Sequence, residues 1–287
     1  MTANNDEQAL IRHPSSTPMR AGDGRSGVLQ RMTASTLQLM RQFPPSAALS
    51  ERFTLGDYAF AEPDYRQLLI WAEALGLRPV ELVLRLQQQP PYHIFEQTIS
   101  FKIVDGSIRD LVWDLSALPV ADFAWVDGLK IEKLAFRKRC DEDEAVGTTK
   151  LAPRLPLLTE LWCGSNQLTE IDLSSVPLLK KLLCWDNQLT ELNLSSVPEL
   201  TELDCSGNQL TEIDLSSVPK LTELWCSGNQ LTEIDLSSVP LLKTLQCWDN
   251  QLTELDLSSV PELTKLWCDE NLKNSLDTSF TPFLDVL

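Results

Sequence analysis

The chain has 287 residues, with 24 Lys and Arg against 41 Asp and Glu, a formal charge of −17. That length supports one or two domains with real cores. So acidic a balance repels phosphate backbones and argues against a nucleic-acid partner. No run of about 18 or more apolar residues is present to cross a membrane as a helix.

Residues 1–50 read as a polar tail rich in Ser, Pro and Gly, predicted to be largely disordered. They contain a literal GxGxxG at Gly22, Gly24 and Gly27, but no strand pattern precedes it, so a dinucleotide fingerprint is rejected. The opening residues lack the basic and apolar regions of a secretory signal, which points to the cytoplasm.

Residues 51–95 are predicted as a small helical region. PDYRQLLIWAEALG, residues 63–76, puts Leu68, Leu69, Trp71, Ala72 and Leu75 on one face, with proline near the start and glycine at the end. RPVELVLRLQQQ supplies a second short helix. The pair resembles part of a helix-turn-helix reader. However, Glu62, Asp64, Glu73 and Glu81 offset Arg66, Arg78 and Arg85, leaving no basic recognition face.

Residues 96–154 are expected to form an α+β cap leading into a solenoid. TISFKIV and SIRDLVWDL alternate around Asp105-Gly106, a hairpin signal. LKIEKLAF, 129–136, has the spacing of a repeat strand with its signature worn away. The hairpin would cover the first open edge of the sheet, since exposed edges invite aggregation. RKRCDEDEAVGTTK, which follows, reads as a charged loop.

From residue 155 to 287 everything recurs every 21 residues. Cys163, Cys184, Cys205, Cys226, Cys247 and Cys268 are in phase with Asn166, Asn187, Asn208, Asn229, Asn250 and Asn271. The unit LxxLxCxxNxLTEIDLSSVPx resembles the leucine-rich repeat over about 155–283, in the short form found in bacterial internalins. The resemblance implies an α/β right-handed parallel-sheet solenoid of about six repeats. In the last of these Lys273, Thr278 and Thr281 break the pattern, as a capping turn requires.

Within one unit, LTELWC alternates with period 2 and should bury Leu161 and Cys163; TEIDLSSVP runs back and buries Ile171, Leu173 and Val176. The asparagines are read as structural, satisfying backbone groups where each strand ends. The in-register thiols point the same way and are read as buried and reduced, without zinc, because CxxC pairs and Cys/His clusters are absent. The outer rows of Glu170, Asp172, Glu191, Glu212, Asp214, Glu233, Asp235, Glu254 and Asp256 are read as solvated, because no ligand set closes around a point as in a calcium loop.

Residues 156–205 match 219–268 at all but eight of fifty positions. Five of the eight differences fall on strand positions facing away from the leucine core. Drift should touch both exposed faces alike, so the concave sheet is singled out. It is predicted to carry Trp162, Lys181, Leu183, Trp185, Asp204, Trp225, Gln246, Trp248, Lys265 and Trp267, with no tryptophan of the repeats in the core. Indole rings collected on one small face suit a protein or peptide partner. The competing reading is that the rings stack on each other or are covered by the N-terminal region.

No catalytic set is evident. The only histidines are His13 and His93, and no cofactor or metal is expected. Secreted bacterial ubiquitin ligases with leucine-rich repeats carry a catalytic Cys-x-Asp motif, which Cys140-Asp141-Glu142 misses. The expectation is a non-catalytic cytoplasmic interaction module. Its alternative is a bacterial effector exported without a cleaved signal, acting through the same surface.

Overall fold

A computed structural model of the chain describes residues 53–55, 58–88, 92–94, 97–105, 107–114, 129–137, 150–273 and 275–286. The glycine motif of the tail, His13 and Cys140 with its charged loop lie outside those residues.

In chain order the elements are β1 (Phe53–Leu55), β2 (Tyr58–Phe60), α1 (Glu62–Ala74), α2 (Pro79–Gln88), β3 (Tyr92–Ile94), β4 (Gln97–Ile99), β5 (Lys102–Val104), β6 (Ser107–Asp114) and β7 (Lys133–Arg137). The repeats follow with β8 (Lys150–Leu151), β9 (Glu160–Trp162), β10 (Glu170–Ile171), β11 (Lys181–Leu183), β12 (Glu202–Asp204), β13 (Glu223–Trp225), β14 (Thr244–Gln246) and β15 (Lys265–Trp267). A short α3 (Glu270–Lys273) and β16 (Asp285–Val286) close the last turn.

One sheet of ten strands runs β16-β15-β14-β13-β12-β11-β9-β7-β6-β5. Every pairing in it is parallel except the β5–β6 hairpin, which turns through Asp105 at φ 52°. The worn strand β7 pairs in register with β9, Leu134 opposite Leu161, so the parallel sheet extends two strands before the first full repeat.

The 21-residue period sets the register. Leu161, Leu182, Leu203, Leu224, Leu245 and Leu266 lie opposite one another and are fully buried. Ile171, Leu173 and Val176 close the same core from the far side. Burying each such side chain contributes about 1.5–3 kcal/mol, so stacking of turns is the main stabilising term. The six cysteines of the repeats are buried, free thiols. Burial pushes Cys163, Cys184, Cys205 and Cys226 well above the ordinary thiol range, so they behave as small apolar side chains.

Asn187, Asn208, Asn229 and Asn250 each join two consecutive turns. Asn208 Nδ2 donates to the carbonyls of Cys184 (3.1 Å) and Cys205 (2.9 Å), while its Oδ1 accepts from Leu189 N (3.0 Å). Asn187 and Asn229 repeat the pattern. An amide is needed here because the site demands a donor and an acceptor at once.

The residue before each of the first five asparagines is left-handed. Ser165, Asp186, Gly207, Gly228 and Asp249 have φ of 55°, 53°, 63°, 63° and 55°. Glycine fits that region without cost and aspartate tolerates it. Ser165 holds the same left-handed conformation that Gly228 adopts in the second half.

The convex aspartates have a backbone role that their solvated reading omits. Asp172, Asp214, Asp235, Asp256 and Asp277 each accept from the backbone N–H of the serine two residues on, at 2.8–3.0 Å. Hydrogen bonds from the serine's side chain and from its backbone N–H hold these carboxyls below the ordinary range, and the backbone bonds close the outer turn.

In the cap, α1 buries Leu68, Trp71 and Ala72, and α2 buries Leu82, Val83 and Leu86. Trp71 meets Trp113 of β6 edge-on at 4.8 Å. The buried face of α1 differs from its apolar reading. Leu69 is only half-buried, while Asp64 and Gln67 are buried in full. The reason is a tertiary bond: Ile108 N donates to Asp64 Oδ1 at 2.8 Å. No helix among the described residues is long and apolar enough to cross a membrane.

Candidate functional site

Parallel pairing in perfect register turns strand positions into rows. Along the concave face one row reads Val112, Ala135, Trp162, Leu183, Asp204, Trp225, Gln246 and Trp267, each directly opposite the next. A parallel row reads Asp110, Lys133, Glu160, Lys181, Glu202, Glu223, Thr244, Lys265 and Asp285. Trp185 and Trp248 occupy the next outward-facing position, just past the ends of β11 and β14.

The first row changes character half-way. Val112, Ala135, Trp162 and Leu183 form a small apolar cluster separate from the main core, with Trp185 packed against it. Trp162 is only 1% exposed and Leu183 7%. Both face the concave side, as alternation requires, yet they sit inside this second cluster. Reading them as accessible contacts is therefore corrected: Ala135 and Leu183 flank Trp162 on either side, and Leu183 lies between Trp162 and Asp204 with Trp185 packed against the cluster. Trp185 is half-buried for a further reason. Its indole lies across Gly164, where an added Cβ would fall 2.4 Å from Cε2.

The second half stays open. Asp204, Trp225, Gln246 and Trp267 are half-buried, Lys265 is exposed, and Trp248 is 45% exposed. Ser227 stands where Gly164 stands in the first half. Ser227 is itself buried, and Trp248 is more exposed than Trp185.

Electrostatics divide at the same place. Lys133 pairs with Glu160 at 2.7 Å and Lys181 with Glu202 at 2.6 Å. Signs alternate along the row from Asp110 to Glu202, and then Glu223 repeats the negative sign. Burial, with Glu202 opposite, pushes the Glu223 carboxyl up, although Lys181 and Lys265 draw it back. Burial also pushes Asp204 up, against hydrogen bonds from Ser206, whose N–H donates to Oδ1 at 3.1 Å. At the rim Asp269 accepts from the backbone N–H of Asp249 at 3.0 Å. Among the described residues no group of three or more His, Cys, Asp or Glu is placed to hold a metal ion.

Residues 198–238 match the family model described as Leucine Rich repeats, in two copies. The solenoid is built of leucine-rich repeats. Among solved structures, its leucine-rich-repeat fold is similar to an internalin, InlF, from Listeria monocytogenes, with 20% identity, 55% of this chain covered and a TM-score of 0.42. YopM from Yersinia enterocolitica matches at 26% identity, 55% coverage and a TM-score of 0.42. The functional domain of InlJ from Listeria monocytogenes, which includes a cysteine ladder, matches at 23% identity, 83% coverage and a TM-score of 0.36. The chain spans 54%, 32% and 61% of those three structures. Comparison with curated proteins found no match.

Of the sequence-derived candidates, the leucine-rich-repeat sheet gathers Asp204, Trp225, Gln246, Trp248, Lys265 and Trp267 on one open strip. Lys181 lies at its border, Trp185 is half-withdrawn, and Trp162 and Leu183 are closed off. Glu223 belongs to the strip and was not singled out from sequence. The signal that finds it is the second consecutive acid in the 21-residue column Lys181, Glu202, Glu223.

Proposed function

We propose that the chain is a non-catalytic protein-interaction module that binds a protein or peptide on the concave sheet of its repeats. The leucine-rich-repeat fold supports an interaction role in general. The finer reading is carried by one observation: Trp248 is 45% exposed and Trp225 half-buried beside Gln246, whereas their first-half counterparts are Trp185, half-buried over Gly164, and Trp162, 1% exposed. Tryptophan removes a large apolar area from water with few rotors to freeze, which is why it concentrates at binding hot spots. A chain that can bury Trp162 and seat Trp185 on a glycine has a structural means of hiding indoles, and the second half does not use it. We place the module in the cytoplasm, where buried, uncrosslinked thiols are at home.

The test is the double substitution Trp225→Ala/Trp248→Ala. Both rings lie outside the leucine core, so the unfolding transition should be little changed while the proteins captured from the native lysate are lost. An unaltered capture profile would rule the concave strip out as the binding surface.

A further inference from the structure

Glu223 lacks the counter-ion that its row supplies elsewhere. From β6 to β12 the row alternates Asp110, Lys133, Glu160, Lys181, Glu202, and two of its lysines close on the next strand's glutamate. Glu223 then faces Glu202 on one side and Thr244 on the other. Like charges directly opposite on neighbouring strands are destabilising. Among the described residues no ammonium or guanidinium group closes on Glu223. One step outward on the same strand stands Trp225, and directly opposite Trp225 stands Asp204.

We infer that this strip receives an arginine side chain presented by an extended, basic segment of a protein partner. The inference rests on the concave-face reading above and narrows it to one partner chemistry. A guanidinium plane stacks on the Trp225 indole, and its rigid fork reaches carboxylates that flank that ring on two sides. Cross-strand and same-face spacings place Asp204 and Glu223 about 5–7 Å from Trp225, within hydrogen-bonding reach of a guanidinium stacked on that ring. Further basic residues of the same segment meet Asp249 and Asp269 at the rim. Among the concave residues of this half the carboxylates Glu202, Asp204, Glu223, Asp249 and Asp269 outnumber the ammonium groups of Lys181 and Lys265. An acidic or apolar segment would leave Asp204 and Glu223 buried without a counter-charge, at a cost that an arginine removes. Because burial holds both carboxyls up in the free protein, a bound cation draws them down again. Binding therefore releases protons and weakens as pH falls through the raised range of these two carboxyls.

The experiment uses the full chain and a fluorescently labelled Gly/Ser peptide with arginine at alternate positions, read by anisotropy. Two control peptides carry citrulline or lysine instead. The arginine peptide should bind, the neutral citrulline peptide at least about tenfold more weakly, and the lysine peptide more weakly than arginine. Glu223→Gln and Asp204→Asn should each cost at least about tenfold, with far-UV circular dichroism unchanged. Glu223→Gln should also unfold at the same or a higher temperature, since it relieves the clash with Glu202. Equal binding of arginine and citrulline, equal binding of arginine and lysine, or full affinity in Glu223→Gln would overturn the inference. If the double tryptophan variant loses its natural partner while Glu223→Gln keeps it, the concave-face reading stands and the arginine assignment falls.

Discussion

Trp185 lies across Gly164 on the neighbouring strand, so closely that the first carbon of any side chain there would come within 2.4 Å of the ring. Sixty-three residues later the pair becomes Ser227 and Trp248, and the ring is 45% exposed. Gly164→Ala should therefore lift Trp185 off the sheet. The emission assigned to Trp185 by difference from a Trp185→Phe control should shift to the red and become more quenchable by acrylamide. Stability should fall by about 1–3 kcal/mol, the usual cost of overpacking a closed site. Ser227→Gly should do the reverse to Trp248.

Asn208 reaches backbone groups of neighbouring turns through both ends of its amide. Asn208→Ala leaves buried carbonyls and an N–H without partners, and should cost about 3 kcal/mol in urea denaturation. Asn208→Asp should be worse at neutral pH, because an ionised carboxylate cannot donate to the Cys184 and Cys205 carbonyls. Acidification should recover part of that loss. A variant with aspartate as stable as the parent would refute the ladder's donor role.

The thiols should be silent until the solenoid opens. Burial raises Cys184 and Cys205 far above their ordinary range, and Cys247 is pushed up to about 12. In a Cys140→Ser background, labelling by a disulfide reagent at mildly alkaline pH should follow the rate of unfolding. Cys268, in the last described repeat and less deeply buried, should react first. Rapid labelling of Cys205 in the folded chain would place the ladder in solvent and contradict the fold.

Asp64 makes the cap sensitive to mild acid in an unusual direction. Burial pushes its carboxyl up from 3.8 to about 6, against the hydrogen bond from Ile108 N. A folded-state value above the unfolded one means that folding takes up a proton. Its contribution to stability is therefore greatest below pH 3.8 and is lost as pH rises toward about 6, an effect of about 3 kcal/mol. The convex aspartates act the other way. Their lowered values stabilise the fold above the ordinary carboxylate range, and that stability is lost as pH falls through them. Subtracting the Asp64→Asn unfolding midpoints from those of the parent should isolate a slope confined to about pH 4–6. A flat difference would show that the carboxyl is solvated in the native state.

The 21-residue spacing was enough to determine the solenoid, the inward leucines and cysteines, the structural asparagines and the side of the sheet on which every tryptophan stands. Those properties follow from strand alternation and a constant advance per turn, which are local and repeat without error. The hairpin at Asp105 and the helix ended by Gly76 were legible for the same reason, since turn chemistry is carried by adjacent residues. Which indoles remain accessible was settled only by the tertiary structure. It depends on what the neighbouring strand sets beside each ring: alanine and leucine flanking Trp162, glycine beneath Trp185, serine beside Trp248. The cap's buried Asp64 was hidden likewise, because its partner Ile108 lies 44 residues away and no local pattern announces it. Period and alternation are properties of one strand, whereas exposure and charge balance are properties of rows that cross the sheet.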